Sequence, residues 1–300
     1  MSRVFTADLS DTQVRSIFRA ARFGDRTRCP RCGYARKLWQ LQDGRWRCKR
    51  CRKRFGLLTD TWLSHTRFEL AEIYELLFWF ELELTDHAIA RRVDVPYRRL
   101  HRFLLTLRRA LAAFEDRSIE LLDGEVEVDE TYFGPRFDNR RRANREKLRK
   151  SGKVLAGRGA HRHKQAVFGI YERTDGIVYV QPVDSVSKET LQSIIHQKVS
   201  IETTIYSDSW WSYRGLEEDY AAHEVVNHLQ KEYVRGSASI NGIEGFWGYA
   251  KERLIKHHGV SPEHFLLYLK EMEYRFNHRE LEPTEFADHL VQVLVANDGP

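Results

Sequence analysis

The sequence predicts an α/β fold, with an α/β domain over about residues 122–280 preceded by a small cysteine-bound module and a helical region. Three observations predict it. After Glu125 the hydrophobic patterns run strand, strand, strand, helix, strand, helix. All four cysteines lie between positions 29 and 51. Between these regions, apolar residues recur at helical spacing on both sides of Val95-Pro96.

The chain's 300 residues suffice for two or three domains, one with a substantial core. The net charge of +6 is modest, but its distribution is not. Residues 1–55 hold 16 Lys/Arg against 4 Asp/Glu, and residues 140–164 hold 11 against 1. Such blocks supply the local positive surface a phosphate backbone needs, although solvated charge on exposed faces is the bland alternative. Met1 to Arg15 has no apolar signal-peptide core, and Glu81 and Glu83 interrupt the most apolar run, Leu76 to Leu84. A cytoplasmic protein with no membrane partner is expected.

Within residues 1–24, positions 9–21 form a short helix, with Ser10 or Asp11 as cap and Val14, Ile17 and Phe18 on one face. Residues 25–58 contain Cys29-Pro-Arg-Cys32 and Cys48-Lys-Arg-Cys51, two C-x2-C pairs separated by 15 residues. Each pair brings two thiolates to one ion, so the four complete a tetrahedral structural Zn²⁺ site of zinc-ribbon type. Gly33 supplies a permissive backbone after the first pair, and Trp39, Trp46 and Phe55 supply a small apolar cap. Basic residues surround the module, Arg50 and Lys53 among them, which makes it a candidate DNA-binding surface.

Residues 66–118 read as a helix over 68–82 and then a helix-turn-helix. Asp86 to Val93 is its first helix, Val95-Pro96 the turn, and Tyr97 to Phe114 the second. Arg98, Arg99 and Arg102 are expected on the exposed side of the second helix, facing DNA. A helical hairpin with a basic exterior is the alternative.

Strands are expected at Val126–Tyr132, 165–171, 177–182, 202–206 and 223–226, with a helix at 187–197 and helices from about 240. The basic stretch 137–163 reads as a mobile loop, and residues 281–300 as an acidic tail.

Asp129 falls inside a strand that should be central, where an acid is unusual unless it is paired or binds metal. Asp208 ends another strand, where open α/β sheets place ligands. Glu244 opens a helix, with 35 residues separating it from Asp208, and Lys251 returns to its face after nearly two turns, with Asn241 one turn before. One such acid alone would be a capping or strand-end carboxylate; the ordered trio argues for chemistry. His257, His258, His228, Tyr132, Trp210, Trp211 and Tyr213 are ambiguous between core, surface and DNA contact.

The ordered set VDETYFG, YSDSWWSY, INGIEGFWGYAKERL and KHHGVSPEHFLLYLKEMEYRFNHR resembles the DDE transposases of bacterial insertion sequences. More narrowly, it resembles the group whose catalytic domain follows an N-terminal zinc ribbon. The similarity covers roughly residues 25–280. It implies a ribonuclease H-like catalytic domain with Asp129 on the first strand, Asp208 just after the fourth, and Glu244 on the helix that completes the site. It implies two catalytic Mg²⁺ or Mn²⁺ ions held by Asp129, Asp208 and Glu244, with Lys251 neutralising a phosphate of the element's end. Some members use Asn as the last ligand, so Asn241 is the alternative, although the spacing to Lys251 favours Glu244. Ser239-Ile240-Asn241 departs from the His-Thr-Asn-like triplet expected there. The implied partners are double-stranded DNA, as element ends and target, and further copies of the chain, at the bacterial nucleoid. An inactive zinc-ribbon DNA-binding regulator and a structure-selective nuclease on the same fold are the rival functions.

Overall fold

A computed structural model describes residues 9–134, 142–151, 164–226 and 240–296. The chain forms two compact units, one of residues up to Phe114 with those from His278 onward, the other Glu115–Asn277.

In the first unit, α1 (Asp11–Phe23) starts at Ser10. The Ser10 hydroxyl accepts from the Gln13 N–H while the Gln13 side chain reaches back to the Ser10 N–H. The helix buries Val14, Phe18 and Phe23. The ribbon follows as β1 (Leu38–Gln40), β2 (Trp46–Cys48) and β3 (Arg54–Phe55), all antiparallel. Trp46 stacks on Phe55 at 5.7 Å and meets the edge of Phe23 at 5.9 Å, giving this small sheet an apolar cap.

Three helices follow: α2 (Leu70–Glu81), α3 (Asp86–Val93) and α4 (Tyr97–Ser118). Thr85 caps α3, and Asp94 ends it in the left-handed region at φ 52° before Pro96 leads into α4. Asp86 is buried and joins the two helices. Its Oδ1 accepts from Arg108 Nη2 at 3.0 Å, and its Oδ2 lies 2.7 Å from His101 Nδ1.

Residues 281–300 are not a tail. Pro283–Val295 forms α9, capped by a Glu282–Glu285 box and burying Phe286, Ala287, Leu290, Val291 and Leu294. It packs with α1 and α2. Glu282 and Glu285 form its N-terminal cap and Asp288 accepts from the Tyr74 hydroxyl of α2 at 2.9 Å, so the charge count concealed an apolar stripe at helical spacing. The basic stretch is likewise not all loop: Arg142–Lys150 forms α5, with Arg142 and Glu146 paired at 3.4 Å. The remainder of that stretch lies outside the described residues, as do His228 and Ser239.

In the second unit, β4 (Glu125–Phe133), β5 (Gln165–Glu172), β6 (Val178–Val183), β7 (Thr204–Asp208) and β8 (Ala222–Val226) form one sheet in the order β6-β5-β4-β7-β8. The β4–β5 and β5–β6 pairs are antiparallel; β4–β7 and β7–β8 are parallel. This is the ribonuclease H-like arrangement. One face packs on α6 (Lys188–Lys198) through Val126, Val128, Phe168, Ile170, Leu191 and Ile195. The other packs on α7 (Asn241–Ile255) and α8 (Phe265–Asn277) through Phe133, Val167, Val180, Ile243, Trp247 and Met272. At the outer edge of β6, Asn277 Oδ1 accepts from the Val178 N–H at 2.8 Å and Asn277 Nδ2 donates to the Val178 carbonyl at 3.0 Å. Glu273 accepts from the Val180 N–H at 3.4 Å.

Candidate active site

The four cysteine sulfurs gather within 4.8 Å of one another. Cys29 and Cys51 sulfurs are 3.5 Å apart, and those of Cys32 and Cys48 are 3.7 Å apart. A tetrahedron with Zn–S arms of about 2.3 Å has edges of about 3.8 Å, so the cluster has the dimensions of a closed zinc site. The same knuckle is built twice. Gly33 and Arg52 each follow a pair with positive φ, and their N–H groups return to the Cys29 and Cys48 carbonyls at 2.9 Å. The Lys53 backbone N–H brings the Cys51 thiol down to about 7, whereas burial pushes Cys29 up to about 12. Filling the site therefore means displacing protons.

The acidic site is organised by a match between a strand and a helix. The odd-numbered residues of β4 face α7. Glu127 Oε2 accepts from the Ile243 N–H at 2.9 Å, Asp129 Oδ2 from Trp247 Nε1 at 2.9 Å, and Thr131 Oγ1 from Lys251 Nζ at 2.6 Å. Two strand residues advance about 6.6 Å and four helix residues about 6.0 Å, so three consecutive rungs stay in register. Glu127 acts as a tertiary cap for α7, because Ile240 at the N-cap position has no capping side chain. Arg173 holds the other Glu127 oxygen at 2.9 Å and lies over the Tyr206 ring at 3.7 Å.

Two glycines allow the helix so close. A Cβ on Gly242 would lie 2.2 Å from the Tyr171 ring. One on Gly169 would lie 2.6 Å from the Trp247 indole. Gly169 pairs with Asp129 across the β4–β5 ladder, so the missing side chain opens a notch beside that acid.

Burial, together with the charges of Glu130 and Asp208, pushes the Asp129 carboxyl up to about 7. Burial and Asp208 likewise raise Glu130, whose carboxylate accepts from the Tyr213 hydroxyl at 2.5 Å. Asp208 ends β7, and its Oδ1 accepts from the Trp210 N–H at 2.9 Å, which orients it. Burial lowers the Lys251 ammonium while the charge of Asp129 raises it. The parallel pairing of Val128 with Ser207 sets Asp129 and Asp208 on neighbouring strands, and the Lys251–Thr131 bond brings α7 to the same strand as Asp129. Glu244 and Asn241 are exposed in the first turn of α7. Among the described residues, the cysteines are the group of three or more ligand types gathered within 4.8 Å; Asp129, Asp208 and Glu244 do not form such a group.

Of the flanking aromatics, Tyr213 is buried, whereas Trp210 and Trp211 are 40% and 47% exposed. On α4, Arg98, Arg99 and Arg102 are all exposed, and Arg99 is in addition engaged within its own unit. It donates to the Arg67 carbonyl at 2.5 Å and lies 4.0 Å over the Phe68 ring. Arg50 is exposed, and Lys53 is paired with Asp60.

Residues 121–277 match the ISXO2-like transposase domain. The chain belongs to this transposase family. Residues 9–54 of the transposase match the transposase zinc-ribbon domain. An uncharacterized protein in transposable element ISH50 of Halobacterium salinarum is 26% identical over 276 residues, covering 89% of this chain and 91% of that one. An uncharacterized transposase-like protein of Haemophilus influenzae is 40% identical over 105 residues, covering 35% of this chain and 85% of its own. Among the described residues of the transposase, no helix is long and apolar enough to cross a membrane.

Sequence reasoning missed Glu127, Thr131, Gly169, Arg173 and Trp247. The one local signal was alternation: acids at 125, 127 and 129 share one face of a strand whose other face begins with Val126 and Val128. An acidic face on a central strand implies that something polar covers it.

Proposed function

We propose that this transposase cleaves and rejoins DNA strands at the ends of its element, with Asp129, Asp208 and Glu244 holding the catalytic cations. The supporting observation is that β4 and β7 run parallel with Val128 paired to Ser207, which sets Asp129 beside Asp208, while Lys251 of α7 is bonded to Thr131 on the same strand as Asp129. The donor set fits hard cations: carboxylate oxygens beside one ammonium, with no soft ligand among them. Bound there, two Mg²⁺ or Mn²⁺ ions supply activation of the attacking oxygen and charge neutralisation at the leaving oxygen. Glu244 is the third ligand in this reading and Asn241 the alternative; both sit on the exposed first turn of α7. Lys251 is placed to meet a phosphate of the element's end.

The zinc ribbon fits one structural Zn²⁺, and through Arg50 and Lys53 it contributes to end binding. Arg98, Arg99 and Arg102 contribute from the helix-turn-helix, Arg99 being held by the Arg67 carbonyl and the Phe68 ring. Holding two ends calls for more than one copy of the chain.

The test is Mg²⁺-dependent nicking of duplex DNA carrying the element's terminal repeats, followed by strand transfer from pre-cut ends. Loss of nicking in Asp208→Ala with end binding retained is the expected result. No nicking by the native chain would indicate a regulator. Cleavage of branched DNA without joining of a 3′-hydroxyl would indicate a nuclease.

A further inference from the structure

We propose that Trp247 is a positioning residue for the Asp129 carboxylate and that Gly169 is the notch that admits it. The inference rests on the reading of Asp129 as a cation ligand. Trp247 is 4% exposed, and its only polar atom, Nε1, donates to Asp129 Oδ2 at 2.9 Å. An indole needs one acceptor when buried, and here the acceptor is the acid on the central strand. With one oxygen held, the carboxylate loses rotation about its terminal torsion, which otherwise is broad.

The geometry is demanding. The indole must cross β5 to reach β4, and it does so over Gly169, where a Cβ would lie 2.6 Å from its Cζ2 and Cη2 atoms. Ile243, one turn earlier on α7, uses the same opening, 2.8 Å from that Cβ position. Phe133 closes the far side with its ring 6.2 Å from the indole, edge on. Packing on three sides therefore fixes the donor, and the donor fixes the acid. Partners of this kind, bonded to a metal ligand rather than to the metal, typically change affinity or activity about 10–100-fold when removed.

The experiment is calorimetric titration of Mn²⁺ into the zinc-loaded full chain without DNA. Trp247→Phe keeps an aromatic ring in the notch and removes the N–H. Replacement of Trp247 by β-(3-benzothienyl)alanine keeps the whole bicyclic shape and removes only the donor, so it isolates the hydrogen bond if the Phe variant folds poorly. Both are expected to weaken Mn²⁺ binding about 10–100-fold, with far-ultraviolet circular dichroism unchanged for the isostere. Gly169→Ala, which keeps the N–H but displaces the ring, should weaken it in the same direction. Native-like Mn²⁺ affinity in the isostere, while Asp129→Asn binds weakly, overturns the role of Trp247 alone. Native-like affinity in Asp129→Asn overturns the role together with the reading of Asp129 on which it rests.

Discussion

Lys251 Nζ donates to Thr131 Oγ1 at 2.6 Å, so this ammonium is moored to the strand that carries Asp129. The mooring sets where the charge sits before any DNA arrives. Lys251→Ala should reduce the slope of log affinity against log salt for element-end DNA by about 1, the signature of one lost phosphate contact. Thr131→Val keeps the charge but frees it. It should leave that slope intact while lowering the nicking rate. Filter binding at several salt concentrations, with nicking followed in parallel, separates the two. An unchanged slope for Lys251→Ala would remove Lys251 from the DNA interface.

The proton on Asp129 makes metal-free stability depend on pH. In the folded chain this carboxyl keeps its proton up to about pH 7, against an ordinary value of 3.8. Between those values the folded state binds more protons than the unfolded state, so stability falls as pH rises through the window. Melting temperature measured in chelator from pH 5 to pH 8 should therefore fall more steeply for the native chain than for Asp129→Asn. Mg²⁺ should offset the fall at pH 8, where the carboxylate is ionised and available.

Zinc should be stoichiometric and structural. Colorimetric release should return one Zn²⁺ per chain, and Cys48→Ser should return far less. Such sites typically contribute on the order of 10 kcal/mol or more of binding free energy to folding, so loss of a ligand should unfold the ribbon. Fluorescence from Trp46, packed between Phe23 and Phe55, should shift to the red. End binding should weaken as well.

Glu127 is buried and bonded to both Arg173 and the start of α7. Glu127→Ala leaves the start of α7 without its acceptor and Arg173 with Glu125 as its remaining carboxylate partner, a change that costs about 1–3 kcal/mol for the orphaned buried N–H. Urea denaturation should show a loss of that size. Glu127→Gln retains one acceptor and should lose less. Equal midpoints for native and Ala forms would mean that the cap carries no stability.

Much of this was legible in the sequence because it is local. Ser10 and Gln13 announce a capping box, two C-x2-C pairs announce the ribbon, and Val126 and Val128 alternate as a strand should. Asp129 and Asp208 stand out in the sequence because acids at strand positions are conspicuous, and the structure has them within β4 and at the end of β7. The rest depends on what lies across space. Glu127 caps a helix 116 residues away, and Trp247 reaches Asp129 over a distance of 118. No window along the chain contains both partners. Gly169 has no side chain to advertise its role; only the neighbour it admits reveals it. The fourth strand begins at Thr204 rather than near 202, because Ile201, apolar and 70% exposed, belongs to the turn before it. A β-branched apolar residue in an exposed turn misleads any propensity argument.

The free side of β6 has a consequence for how copies of the chain can associate. Asn277 and Glu273 take the hydrogen-bonding places at Val178 and Val180 that a neighbouring strand would occupy. Continuous sheets between two molecules cannot be joined along that stretch, so contacts on this side of the sheet must be built through side chains, helices or loops. The same two side chains deny a damaged chain a template for stacking strand upon strand.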